Sequence, residues 1–117
     1  MFKEILKKAV AGTPGATGAI FVDWEGEAVD YFFLGKDDEI KLVGAHHGIL
    51  MNLLSDAAKN TAQGRVLGMI YTAEDAKVVV QPVKDGYLLV MLLAVQANAG
   101  IALRAARRTA GILKEEV

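Results

Sequence analysis

The chain has 117 residues, no cysteine, a formal net charge of −1 and an isoelectric point near 6.1. That length holds a single domain over residues 1–117 with a core large enough to fold without staples. The missing cysteines exclude disulfides and thiolate or Cys-ligated metal chemistry, and the near-neutral charge argues against nucleic acid as a partner. Counting glycine as apolar and leaving out tyrosine, about 61% of the chain is apolar against about 45–50% in a typical domain. The surplus points to a buried interface in addition to a core. No apolar run reaches roughly 18 residues, and Met1 to Lys8 alternates charged and apolar positions instead of building a signal-peptide core. The expectation is a cytoplasmic protein with no membrane insertion.

Phe2, Ile5, Leu6, Ala9 and Val10 recur at helical spacing with Lys3, Glu4, Lys7 and Lys8 opposite them, so a short amphipathic helix opens the chain. Gly12 to Gly18, with Pro14, ends it. Two apolar, β-prone runs follow, 19–24 and 28–34, split by Glu25-Gly26-Glu27, and predict a hairpin. The acidic cluster Asp37-Asp38-Glu39 then opens a long helix over 37–59, placed where the positive end of a helix dipole favours it.

This middle helix is unusual. At about 100° per residue, Ile49, Leu42, Leu53, Ala57, Leu50, Val43, Leu54, Ala58, Ile40 and Met51 sweep an arc of roughly 200°, twice what a surface helix needs. Gly44 and Gly48, spaced i and i+4, and then Ser55 form a flank of small residues where another backbone can come close. The pattern predicts a dimer seam containing Gly44, His47, Gly48, Met51 and Ser55. The alternative is a core helix wrapped by its own chain.

Residues 65–72, 77–83 and 87–95 read as three strands with short connections, an antiparallel meander. Asn98 is a good N-cap for a last helix. There Ile101, Ala102, Ala105, Thr109, Ile112 and Leu113 share one face, and Arg104, Arg107, Arg108 and Lys114 occupy the other. The order α-β-β-α-β-β-β-α, with strands apolar on both alternating faces, predicts a three-layer α/β/α sandwich around a five-stranded antiparallel sheet. The run 65–72 follows the long helix and is expected at a sheet edge. Val66, Leu67, Gly68, Met69 and Ile70 there would form an aggregation-prone edge unless paired, and pairing with a second copy also covers the surplus helix surface.

The hairpin GAIFVDWEGEAVDYF, the alanine- and leucine-rich middle helix and the closing stretch from GRVLGMIYTAEDAKVVVQPVKDGYLLV onward resemble the roadblock/dynein light chain family. The likeness spans about residues 2 to 115, and it is nearest to stand-alone prokaryotic Mgl-type regulators of a polarity GTPase. It implies a profilin/roadblock-like fold and a homodimer, or a heterodimer with a paralogue. In such a dimer the middle helices pack antiparallel and the 65–72 strands join two sheets into one of ten strands. It also implies a small Ras-like GTPase as partner, regulated or scaffolded, with no catalytic residue supplied by this chain.

No chemistry stands against that reading. The glycine-rich segment 12–18 precedes a strand, where a phosphate loop follows one, and it lacks Gly-Lys-Ser/Thr. His46 and His47 diverge by about 100° on a helix and cannot share a metal; they read as interface or core residues, with a pH-sensitive dimer as the sharper alternative. Glu25, Glu27, Asp30, Glu74 and Asp75 read as solvated turns with no nucleophile beside them. The Arg104, Arg107, Arg108, Lys114 row reads as a wet helix face or a dock for an acidic or phosphate-bearing surface. No enzyme activity, cofactor or metal is expected. By elimination, the remaining arc of the middle helix, Lys41, Ala45, Asn52, Asp56 and Lys59, is assigned to partner binding. A small-molecule sensor, or an adaptor in a signalling or motor complex, is the alternative function.

Overall fold

A computed structural model describes all of residues 1–117. The elements are α1 (Phe2–Ala11), β1 (Ala16–Val22), β2 (Ala28–Phe33), α2 (Asp37–Asn60), β3 (Met69–Thr72), β4 (Lys77–Pro82), β5 (Leu88–Leu93) and α3 (Ala99–Glu116). The strands form one antiparallel sheet in the order β2-β1-β5-β4-β3, so β2 and β3 are its edges. Central β1 and β5 pair through Ala19 with Met91 and Ile20 with Val90. The expected sandwich and element order are what the chain adopts.

Strand alternation divides the interior into two cores. Ala19, Phe21, Val79, Leu89, Met91 and Leu93 point to α1 and α3, where Leu6, Val10, Ala102, Ala106 and Leu113 meet them. Ile20, Val22, Val78, Val80, Leu88 and Val90 point to the other side, where α2 brings Ile40 and Met51. Asn98 caps α3 as its sequence predicts, its Oδ1 accepting from the Ile101 amide at 3.0 Å.

Two expectations need correction. Ile101 and Ile112 are more than half exposed, outside the buried face formed by Ala102, Ala105, Thr109 and Leu113. They sit at the border of that face, beside Arg108. The strand expected over 65–72 is regular only from Met69, where Met69 pairs with Val80. Continuing that register would set Leu67 opposite Pro82, which has no N–H to give. The Gln81 side chain takes over instead, its Nε2 donating to the Leu67 carbonyl at 3.2 Å.

Candidate functional site

The long helix uses three different surfaces, and their order around its axis decides what it can bind. Ile40, Gly44, His47, Gly48, Met51 and Ala58 are buried on one side. A Cβ on Gly44 would meet the Ile20 Cδ1 and Val22 Cγ1 atoms at 2.9 Å, and one on Gly48 would lie 3.5 Å from the Gly26 Cα. The glycine ridge therefore admits the chain's own sheet and hairpin, and the expectation that it opens the helix to a second backbone is corrected. The physical signal was in the residues: glycine marks the side of closest approach, and here the sheet makes that approach.

Next to this buried side lies the surplus. Leu42, Ile49, Leu50, Leu53 and Leu54 are all exposed, Leu53 to 61%. This apolar stripe is larger than solitary surface leucines require. His47 stands at its border with the buried side. Its Nδ1 lies 2.6 Å from the Val43 carbonyl oxygen, an acceptor only, so Nδ1 carries the proton. The Tyr71 hydroxyl on β3 then donates to Nε2 at 2.7 Å, and the two rings lie nearly parallel with centroids 5.2 Å apart. Burial pushes the His47 imidazole below its ordinary range and the neighbouring His46 adds to this, while the Val43 bond opposes it. Tyr71 as the partner of His47 escapes sequence reasoning, because nothing in the local pattern links two residues on different elements.

Edge strand β3 lies on the same side as the stripe. Met69 is half-buried toward the α2 core, Ile70 is exposed on the opposite face, and Leu67 is exposed just before the strand. Gly68 is half-buried beneath Leu103 and Gln81.

The third surface is polar and splits in two. Lys41 sits over the Tyr31 ring, 5.3 Å from its centroid, and lines a cleft of about 420 Å³ with Ala45 and the hairpin residues Glu25, Glu27 and Asp30. Asn52 and Lys59 belong to a separate groove of about 850 Å³. That groove also holds Met51, Ser55, Val66 and Leu67 from the expected seam, together with Arg65, Lys84 and Asp85. In its wall the buried Gln81 Oε1 has no hydrogen-bond partner. Asp56 is exposed and lines neither hollow. The five residues assigned to partner binding thus share one arc of the helix and divide along it between two hollows and one exposed position. No group of His, Asp or Glu side chains is arranged to hold a metal ion.

Residues 2–93 match the family model for the Roadblock/LC7 domain. The chain belongs to the Roadblock/LC7 family. Among solved structures the roadblock fold recurs in a Roadblock/LC7 domain from Streptomyces avermitilis at 16% identity, covering 97% of this chain and 95% of that one with a TM-score of 0.89. The gliding protein MglB from Thermus thermophilus is 19% identical over 97% of this chain and 88% of its own, with a TM-score of 0.85. MglC from Myxococcus xanthus is 27% identical over 97% of both chains, with a TM-score of 0.69. A search of curated proteins by sequence matches nothing to the chain. No helix of the chain is long and apolar enough to cross a membrane.

Proposed function

We infer that this roadblock domain works as a homodimeric, non-catalytic binding module for a small Ras-like GTPase in the cytoplasm. The observation that carries the dimer is the exposed leucine stripe of α2 on the same side as the unpaired β3 edge. Antiparallel pairing of two β3 strands about a two-fold axis perpendicular to the sheet would bring both stripes together on one side. Such a contact buries on the order of 1,600 Å² and satisfies the strand edge and the apolar surface at once. The GTPase rests on family resemblance, and the likeness to MglB and MglC supports it.

Light scattering at micromolar concentration is expected to give twice the chain mass. A pull-down from the native lysate, run with GDP and with a non-hydrolysable GTP analogue, is expected to retain a small GTPase in one nucleotide state. A clean monomer overturns the first statement, and a lysate yielding no GTPase in either state overturns the second. The groove bearing Lys59, Arg65 and Lys84 favours a second reading, a sensor for an anionic metabolite. One strong stabilising hit in a thermal-shift screen would move weight to it.

A further inference from the structure

The net charge of −1 conceals a polar molecule. Helices α1 and α3, packed side by side on one face of the sheet, carry seven lysines and arginines against three carboxylates, a surplus of four positive charges. The stretch from Asp23 to Arg65, which includes the hairpin turn and α2 on the other face, carries eight carboxylates against four cations, a deficit of the same size. Charges scattered for solubility alone would interleave the two signs. Arg104, Arg107 and Arg108 are exposed on α3, and no carboxylate lies within salt-bridge distance of any of them or of Lys7, Lys8 and Lys114. Lys3 alone in this layer has a side-chain carboxylate partner, Asp30 at 3.3 Å. Beside the arginines, Ile101 and Ile112 expose more than half of their surface.

We propose that the α1/α3 layer is a docking surface for anionic phospholipid headgroups, holding the protein flat against a membrane without insertion. Charge complementarity selects the occupant. Six of the layer's seven cations are unpaired, two isoleucines are placed to reach the headgroup boundary, and the 850 and 420 Å³ hollows that would suit a compact ligand lie outside it. The layer lies opposite α2, so a lipid-bound protein keeps the leucine stripe and β3 free. Pairing at β3 about an axis perpendicular to the sheet would put both basic layers on the same side and double the surplus, and this part alone rests on the dimer proposed above.

The test is co-sedimentation with large vesicles of phosphatidylcholine, plain or carrying about 30% phosphatidylglycerol, at about 50 and about 500 mM NaCl. Binding is expected only to the anionic vesicles and only at low salt. Arg104→Glu/Arg107→Glu/Arg108→Glu should lower that partition at least about tenfold, while Arg104→Lys/Arg107→Lys/Arg108→Lys and Lys36→Glu on the opposite side retain it. Circular dichroism and light scattering of each variant separate charge effects from loss of fold or dimer. Equal partition into neutral and anionic vesicles, or none into either, overturns the proposal. So does an acidic protein or a nucleic-acid duplex that binds the arginine face more tightly than the vesicles at the same salt. A wild-type monomer by light scattering removes the doubling and leaves the vesicle result to judge the face itself.

Discussion

The two helical layers cover the same sheet in opposite ways. Helices α1 and α3 bury leucine, valine and alanine and turn lysine and arginine outward, so that side of the molecule is finished within one chain apart from its charge and the exposed Ile101 and Ile112. Helix α2 buries two glycines, a histidine and only a few apolar side chains, and it turns five large aliphatic residues outward. A layer whose small residues face in and whose leucines face out is shaped for two contacts, one already made and one still to come. The difference teaches that hydrophobicity alone does not tell the inside of a helix from its outside.

Four changes probe this contrast. Gly44→Leu forces a side chain into Ile20 and Val22 and should cost more than about 3 kcal/mol, seen as loss of the cooperative urea transition. A stably folded monomer would instead put the ridge on the seam. Leu89→Ala in the finished layer should cost about 3 kcal/mol through its cavity. Leu53→Ala on the open side should change the stability of the dilute, unassembled chain by less than about 0.5 kcal/mol. The corresponding reversal Leu53→Glu/Leu54→Glu should leave the circular dichroism intact and weaken self-association at least about tenfold, measured by dilution in light scattering.

Tyr71→Phe removes the donor to a buried imidazole nitrogen and should cost about 1–2 kcal/mol by urea denaturation. His47 also gives the open layer a pH signature. Its folded pKa lies below the unfolded value of 6.5, so the unfolded chain takes up the proton first. The resulting stability is whole above pH 6.5 and drains as pH falls below it, and denaturation midpoints from pH 7.5 to 5 should show a fall that His47→Gln flattens. In the closed layer Asn98→Ala should cost about 1 kcal/mol of α3 capping in a thermal melt.

Element order, both faces of the sheet and the Asn98 cap are legible in the sequence because each rests on spacing within a few residues. The surplus on α2 is legible too, yet its direction is not. Ten apolar residues over a wide arc pull the apparent inner face toward Leu50 and Leu53, while Gly44 and Gly48, which carry no hydrophobic weight, face the sheet. The true length of β3 depends on Pro82, a residue in the next strand, so the run from Arg65 looks longer than it pairs. The groove over Lys59, Arg65 and Lys84 and the His47–Tyr71 bond join residues from separate elements, and no local pattern announces them.

The central pairing of β1 with β5 sets the timing of folding. Ala19 waits for Met91, so the middle of the sheet cannot close until nearly the whole chain has left the ribosome. Helix α2 is synthesised long before that moment, and throughout the interval its leucines on one side and its sheet-facing residues on the other are bare together. A nascent chain of this protein is therefore at its most adhesive midway through synthesis, when a chaperone or a neighbouring copy meets the same surface that the finished molecule presents.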